Sequence, residues 1–203
     1  MTLVLGSALA CRKLWPNQRE LSRKIVHIGT GPVVPIAWFL NIPALIAIPS
    51  AFVITFIALI NHRWKLLPAV EDVDRESYGT VAYGVAICVL LVLYWPEHAA
   101  SVSAGVLVMA FGDGFAGLIG RAVHSPSWTI WEQRKSFIGT TTMAVTSAAV
   151  LFALALITHS PIDPLRLLAV CLLAVALEQF SIWGVDNLTV PLAVAISWAW
   201  LTA

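Results

Sequence analysis

Apolar stretches long enough to cross a membrane, separated by short charged or proline-containing breaks, fill almost the whole chain. Hydrophobic residues make up 59% of the 203 residues and charged residues 11%, about half the charged fraction of a typical soluble domain. A spanning helix needs roughly 20 predominantly apolar residues, which leaves room for six to eight spans. The sequence therefore predicts an all-α fold, a polytopic transmembrane helical bundle, with no separate soluble domain.

About seven candidate spans follow from the apolar runs between the breaks. The first ten residues are apolar but too short to cross, so we expect an interfacial segment or the stub of a longer span there. The first two spans share a very short connection at Asn41–Pro43. The predicted spans are Ile25–Leu40, Ile42–Ile60, Thr80–Trp95, Ala99–Val123, Phe137–Thr158, Leu165–Trp183 and Asn187–Ala203.

The basic residues are distributed unevenly between the two ends of these spans. Alternating the spans across a bilayer leaves Arg166 alone on one side. Such an excess marks the cytoplasmic side or its equivalent, so we predict an integral, multi-pass membrane protein whose residues 1–24 form a cytoplasmic-side segment. The residues on that side are Arg12, Lys13, Arg19, Arg23, Lys24, Arg63, Lys65, Arg75, Arg121, Arg134 and Lys135.

Several classes of protein are disfavoured by simple counts. The formal net charge of +1 offers no basic face for nucleic acid. Cys11, Cys88 and Cys171 are widely scattered, so neither a disulfide framework nor a zinc site is expected. The chain also has no P-loop motif, no GxSxG nucleophile elbow, no complete motif of the CDP-alcohol phosphotransferases and no aspartate-rich box of the membrane prenyltransferases.

A carboxylate stands inside the predicted fourth span. Placing it there costs about 2.5–3.5 kcal/mol on insertion scales, so such a residue usually faces a polar cavity and serves a function. The alternative is a glycine stripe for helix packing, with the carboxylate neutralised by a neighbour; we expect packing to explain part of the glycine pattern and favour function for the carboxylate itself. Four residues of this run share one helical face: Asp113, Gly117, Gly120 and Arg121.

Two basic clusters lie at the cytoplasmic ends of predicted spans. The run Gln133–Thr140 opens the fifth span with two cations, and cations beside a helix N-terminus suit phosphate binding. His27 falls one helical turn from both Arg23 and Lys24, which gives one polar face at the start of the first span. Membrane anchoring explains the first cluster equally well, and it is the favoured interpretation for Lys24 more than for His27.

Glu178 interrupts the sixth span, and Asp186 opens the seventh. Snorkelling would explain the first and helix capping the second. Together with Asp113, however, they put carboxylates on the same side as the basic clusters. Mg²⁺ is bound by one or two carboxylates plus substrate phosphates, and Lys and Arg hold the remaining phosphate charge. The sequence therefore favours a site for a Mg²⁺-bound phosphate compound beside a place for a lipid acceptor.

These residues carry a resemblance to the phytol kinase and dolichol kinase family of polyprenol kinases, which is itself related to phosphatidate cytidylyltransferase. The matching pieces run in order over almost the whole chain. Ile138 departs from the pattern, since many relatives carry an acidic residue there, and no full span precedes Arg12. The pieces are Arg23–Ile28, Arg75–Tyr83, Gly112–Arg121, Lys135–Thr140, Glu178 and Asp186–Pro191.

The resemblance implies CTP-dependent phosphorylation of a long-chain isoprenoid alcohol of the phytol, farnesol or geranylgeraniol type, with Mg²⁺, by one catalytic domain over residues 25–203. Catalytic roles fall on Asp113, Lys135 and Asp186, and metal binding on Asp113, Asp186 and Glu178. Binding of the nucleotide and its phosphates falls on Arg23, Lys24, His27, Arg121, Ser136, Gly117 and Gly139.

Two other functions remain open from the residues. One is a phosphatidate cytidylyltransferase-like enzyme, and the other is a small transporter coupled to cations or protons. A transporter should place ionisable groups along a path to both faces, whereas these crowd toward one, which favours an enzyme. The expected partners are the lipid bilayer, the isoprenoid alcohol and CTP, with a homodimer left open and no nucleic acid. The expected location is a bacterial inner or photosynthetic membrane or a plastid membrane, with the active site on the cytoplasmic side.

Overall fold

The computed structural model describes residues 2–16, 19–66, 78–131, 133–160 and 163–202, with Arg19 described by its backbone alone. The segment 67–77, which holds Arg75 of the piece Arg75–Tyr83 in the family resemblance, lies outside the described residues. Ten α-helices, one π-helical segment and one β-hairpin make up the described part. The helices are α1 Thr2–Leu14, α2 Arg19–Thr30, α3 Val33–Phe39, α4 Ala44–Trp64, α5 Gly79–Tyr94, α6 Ala99–Leu107, α7 Gly114–Ala122, α8 Phe137–Thr158, α9 Pro164–Gln179 and α10 Asp186–Thr202.

One continuous helical rod forms the centre of the fold. It consists of α6, the π-helical segment Val108–Asp113 and α7. Residues from Val102 to Ala110 are almost all buried and form the middle of the main apolar core. Helices α8 and α10 pack on this rod, α5 packs on α10 and α6, and α2 packs on α7. At Gly105 an added side-chain carbon would lie 2.2 Å from the backbone oxygen of Pro191, so only glycine permits this approach of α6 to α10.

Within the part of the chain that the structure describes, three helices are long and apolar enough to cross a membrane, judged by length and composition: Ala44–Trp64, Ala99–Ala122 and Phe137–Thr158. Gly79–Tyr94 is apolar but shorter. Burial separates them, since 61% of the apolar window in the central rod is buried against 6% in α4. A helix that stays apolar while its side chains are exposed is suited to lipid rather than water. The all-α, membrane-type architecture is thus supported, and three helices meet the length of a full span.

The first predicted span is broken into two helices, which corrects the expectation of one continuous helix over Ile25–Leu40. Helix α2 ends at Thr30 and α3 begins at Val33. Pro32 has no N–H to donate to the carbonyl of Ile28, which instead accepts a hydrogen bond of 3.2 Å from the backbone N–H of Gly31. The apolar run is continuous in the sequence, but its backbone hydrogen bonding is not.

The connection between α9 and α10 also differs from the prediction. Helix α9 ends at Gln179, with Phe180 as its C-cap, rather than at Trp183; Trp183 and Gly184 have φ values of 51° and 83°, which a right-handed helix cannot accommodate. A further correction is the antiparallel hairpin of β1, Ser127–Ile130, and β2, Gln133–Ser136, where a helix-flanking loop was expected.

Candidate active site

A polar cavity of about 600 Å³ opens among α2, α7, the hairpin, α8, α9 and the start of α10. It gathers residues from five separate stretches of sequence. Of the eleven site residues that the sequence predicts, His27 is the one that does not line it. The ten that do are Arg23, Lys24, Asp113, Gly117, Arg121, Lys135, Ser136, Gly139, Glu178 and Asp186.

Asp113 is held by two groups from α2. The Nζ of Lys24 donates to Oδ2 of Asp113 at 2.6 Å and to its backbone oxygen at 3.1 Å. The Nε2 of His27 lies 3.4 Å from the same Oδ2 and 3.2 Å from the backbone oxygen of Met109. Both neighbours of Nε2 are acceptors, so this nitrogen carries the hydrogen. The central rod and α2 are therefore joined through the carboxylate that the sequence singles out.

Lys24 is buried, with a relative exposure of 5%. An anchoring lysine extends toward the membrane surface, so the burial of Lys24 contradicts the anchoring interpretation favoured for it. The neighbouring glycine explains how it fits, because an added carbon at Gly117 would lie 2.7 Å from Cε of Lys24. Gly117 thus provides the space in which the lysine reaches Asp113.

A second lysine, Lys135 of β2, pairs with Glu178 of α9. Its Nζ donates to Oε1 of Glu178 at 2.5 Å and to the backbone oxygen of Glu178 at 2.7 Å. The alternation of side chains along a strand buries Lys135 while leaving its neighbour Arg134 exposed. The backbone oxygen of Glu178 lies in the last turn of α9, where helical carbonyls lack helical partners and a cation is favourable.

Gly120 of α7 and Gly139 of α8, which lie next to the hairpin, have a packing role. Ser136 caps α8, and its Oγ accepts from the backbone N–H of Gly139 at 3.2 Å. The same hydroxyl donates to the backbone oxygen of Gly120 at 3.3 Å. An added carbon at Gly120 would lie 3.1 Å from Cα of Gly139, so α7 and α8 meet at two glycines. Gly120 therefore belongs to the helix contact, which confirms that packing explains part of the glycine pattern.

Asp186 lies buried at the start of α10, within the cavity wall. The hydroxyl of Ser181 accepts from its backbone N–H at 2.8 Å. Its Oδ1 accepts from both the backbone N–H and the side-chain amide of Asn187, each at 3.1 Å. These bonds fix one carboxylate oxygen; the bond from the N–H of the adjacent Asn187 is not the bond of a helix cap, which would come from a residue two or three positions later.

Glu20 is a charged member of this cavity that the sequence analysis did not select. Its carboxylate pairs with Arg23 one turn later and lies 3.2 Å from Arg121 of α7. Burial raises the pKa of Glu20, but the charges of Arg23, Arg121 and Lys24 outweigh it and hold the pKa at about 2. The i, i+3 spacing of Glu20 and Arg23 could have indicated their ion pair from the sequence. No feature of the sequence indicates the contact with Arg121, which lies about a hundred residues later.

The carboxylates around the cavity are compatible with Mg²⁺, although no group of three or more His, Cys, Asp or Glu side chains among the described residues is arranged to hold a metal alone. Asp113, Glu178 and Asp186 lie near enough for their charges to repel one another. Carboxylate oxygens are the donors that Mg²⁺ prefers, and the ion commonly completes its shell with substrate phosphates and water. The residues fit such a shared site.

Two neutral side chains in the cavity wall were also missed. The Nε2 of Gln179 donates to Glu178 Oε2 and to Thr140 Oγ1, both at 2.8 Å. Its Oε1 is buried and has no hydrogen-bond partner in the part of the chain that the structure describes. Neutral polar residues at helix ends are common in any sequence, so their type and position carried no distinguishing signal.

Comparison with known proteins gives a consistent set of relatives. The chain is 40% identical to the phytol kinase of Synechocystis sp. over 200 residues, covering 97% of this chain and 86% of that protein. It is 27% identical to the probable chloroplastic phytol kinase of Triticum aestivum and 26% identical to the chloroplastic phytol kinase 1 of Arabidopsis thaliana. It spans 65% and 66% of the lengths of those two plant proteins. No protein-family model and no solved structure matches the chain.

Proposed function

The chain belongs to the phytol kinase family, and on that premise we propose that it transfers the γ-phosphate of CTP to the hydroxyl of a long-chain isoprenoid alcohol of the phytol, farnesol or geranylgeraniol type. The alcohol oxygen forms a bond to Pγ, the bond between Pγ and the bridging oxygen breaks, and the hydroxyl proton is released. The products are a prenyl monophosphate and CDP. The observation that carries this proposal is that a membrane-type bundle collects two lysines, three arginines and four carboxylates around one cavity.

The basic residues of the cavity supply the charge that a triphosphate needs. Lys24 and Lys135 are buried and paired with carboxylates, whereas Arg121 is 59% exposed at the rim. A phosphate oxygen that reaches Lys135 replaces the carboxylate of Glu178 as its partner, so that the cation stays neutralised throughout. Preorganised cations of this kind stabilise charge on a transferring phosphoryl group at little reorganisation cost.

We propose Mg²⁺ as the cofactor, held by Asp113 and Asp186 with Glu178 beside them and with phosphate oxygens of the nucleotide. When bound, the ion supplies neutralisation of the triphosphate charge. The bonds that Asn187 donates engage Oδ1 of Asp186, so we assign its other carboxylate oxygen to the metal. Lys24 holds Asp113 in place through both its side chain and its backbone oxygen.

We further propose that the protein is multi-pass, with about seven spans, and that the polar cavity faces the cytoplasm or its equivalent. The eleven-to-one distribution of basic residues supports this orientation. A cysteine introduced at His98 should be labelled by an impermeant thiol reagent from outside, and one at Gln133 should not. The native cysteines Cys11, Cys88 and Cys171 are buried, which keeps the background low. Labelling at Gln133 from outside would overturn the orientation.

The choice of phosphorus distinguishes a kinase from the cytidylyltransferase alternative. We expect [γ-³²P]CTP to label the lipid product of purified protein incubated with phytol, farnesol or geranylgeraniol. A neutral alcohol needs no additional cation, whereas a phosphatidate headgroup brings about two charges that need partners. The cavity cations already face its own carboxylates, which favours the neutral acceptor.

The matched reaction uses [α-³²P]CTP under the same conditions, and ATP in place of CTP tests the nucleotide. Label from the α position in the lipid, together with release of pyrophosphate, would replace the kinase by a cytidylyltransferase. Phosphorylation with ATP at the rate seen with CTP would remove the nucleotide assignment while leaving the kinase.

A further inference from the structure

A second cavity, of about 270 Å³, lies next to the polar one and has an almost entirely apolar wall. It is bounded by Val26 and Thr30 of α2, by α4 and by α5, with Leu5 of α1 at one edge. Its α4 and α5 wall consists of Ile54, Thr55, Ile57, Ala58, Asn61, Gly79, Thr80, Tyr83, Gly84 and Ile87. The exposed surface of this wall is mainly apolar, and the hydroxyls of Thr55 and Tyr83 are bonded within the protein, so the wall offers packing to a hydrocarbon chain.

The two cavities share two wall residues, Arg23 and Asn187. Asn187 binds Oδ1 of Asp186 on the polar side, so a group at this junction is adjacent to a proposed metal-binding carboxylate. Asn187 also contributes a backbone carbonyl group of α10. Pro191 lies inside that helix and has no N–H, so the carbonyl of Asn187 cannot receive the usual helical hydrogen bond from it.

His27 connects the apolar cavity to the site as well. It lines the apolar cavity, packs its ring against Tyr83 with centroids 4.7 Å apart and places Nε2 3.4 Å from Asp113 Oδ2. Its absence from the polar cavity thus reflects a position in the wall between the two. Arg23, His27 and Asn187 therefore bring polar and charged groups to the part of the apolar cavity that adjoins the polar one.

We infer that the apolar cavity holds the isoprenoid tail of the acceptor alcohol, with the hydroxyl at the junction formed by Arg23 and Asn187. This inference rests on the proposed function. The occupant is a lipid alcohol because Arg23 and Asn187 adjoin the carboxylates, while the exposed surface of the wall is mainly apolar even though Asn61 and three threonines contribute to it. The outer wall, α4, is exposed over most of its apolar surface, so the cavity borders the region from which a membrane-dissolved alcohol comes.

The size of the cavity limits how much of the tail it can recognise. At about 30 Å³ for a group the size of a water molecule or a methylene, 270 Å³ hold roughly nine carbons, about two isoprene units. The remaining carbons of a longer alcohol lie outside, against the bilayer. The Michaelis constant, expressed as mole fraction in the membrane, should therefore fall from five to ten carbons and change little from fifteen to twenty.

The test maps the tail directly and then narrows the cavity. A farnesol analogue with a diazirine on its second isoprene unit is photolysed with the full-length protein in bilayers, and the modified peptides are identified. We expect modification within residues 54–58 and 80–87. Ala58→Phe should lower the yield of photolabelling. It should also raise the KM for phytol about tenfold, the effect of one overpacked side chain, and leave the KM for CTP unchanged. Val53→Phe is the matched control, because Val53 is exposed on α4 and lies outside both cavity walls.

The outcomes separate this inference from the proposed function. If the wild type makes prenyl phosphate but the diazirine modifies other helices, the tail site is wrong and the kinase stands. If the diazirine modifies α4 and α5 but none of the alcohols is phosphorylated, the kinase is wrong and the alcohol site stands. If neither occurs, both are wrong. Should Ala58→Phe fail to fold, the mapping on the wild type decides.

Discussion

Lys24 and Lys135 come from different elements, α2 and β2, yet each donates to both the carboxylate and the backbone oxygen of a single acidic residue. The partner is Asp113 for Lys24 and Glu178 for Lys135. Both lysines are buried. Two ion pairs of the same form therefore lie in the wall of one polar cavity, and the sequence separation within each pair is large.

Their surroundings differ. Asp113 has a second partner in His27, whose Nε2 lies 3.4 Å away, and its lysine fits into space left by Gly117. Glu178 has only the neutral amide of Gln179 besides Lys135 among the described contacts. The comparison indicates that the Lys24 pair is held on several sides, whereas the Lys135 pair depends on one cation, and we expect the Lys135 pair to be the one that opens on phosphate binding.

The strongest test of this difference is the loss of the Asp113 charge. Asp113→Asn should lower kcat/KM by about 100–1000-fold while insertion and yield stay near normal, since the variant keeps the shape and an acceptor for Lys24. Glu178→Gln, the matched change in the other pair, should cost less because Glu178 lies beside the proposed metal rather than holding it, and phosphate can neutralise its lysine instead. Steady-state kinetics at saturating Mg²⁺ measure both. Substantial activity of Asp113→Asn would make Asp113 a packing residue.

Stability should respond in the opposite order. Lys135→Met leaves Glu178 buried with no cation, which costs about 3–5 kcal/mol, whereas Lys24→Met leaves Asp113 with His27 and should cost less. Thermal unfolding in one detergent at pH 7 compares them. The double variant Lys135→Met/Glu178→Met serves as the control, because replacing both members of a buried pair by apolar residues is often neutral. Equal losses for the two single variants would remove the distinction between the pairs.

The smallest expected effect concerns the carboxylate of Glu20, which lies in α2 one turn before Lys24 and ahead of the predicted first span. Its pKa is lowered from 4.5 to about 2 in the folded protein, so the contribution of Glu20 to stability is present above pH 4.5 and is lost as the pH falls toward 2. Full protonation removes about 3 kcal/mol at most. The difference in Tm between wild type and Glu20→Gln should be constant from pH 5 to 8 and shrink below pH 4.5. A difference that stays constant down to pH 3 would contradict the assignment.

The positions of the helices were largely readable from the sequence because apolar runs report them directly. Phe137–Thr158 has the predicted bounds, and Ser136 supplies the cap that begins it. The break at Pro32 was missed since the apolar pattern continues through it. The hairpin was missed because two four-residue strands of mainly polar residues resemble a loop.

The residues of the candidate site were readable for a different reason. Charge inside an apolar run is costly, so Asp113, Glu178 and the basic clusters stand out without any knowledge of the fold. Their partners were not readable, because nothing in a sequence says that Lys24 lies beside a residue 89 positions later. The division into a polar and an apolar cavity likewise depends on how α2, α4 and α5 pack.

The π-helical segment Val108–Asp113 has a consequence for what kinds of genetic change can reach this site. A π turn holds one residue more than an α turn, and one residue corresponds to about 100° of rotation in an α-helix. The face of Gly114–Ala122 is thus offset by that angle from the face that an unbroken α-helix continuing Ala99–Leu107 would present. Point mutations can alter the chemistry of Asp113, but the orientation of its side chain relative to the other helices depends on the number of residues in the helix before it. If these same residues became α-helical, every cavity residue of α7 would turn by about 100°, whereas a single-codon deletion within the segment lets the π turn become an α turn and leaves that face in place.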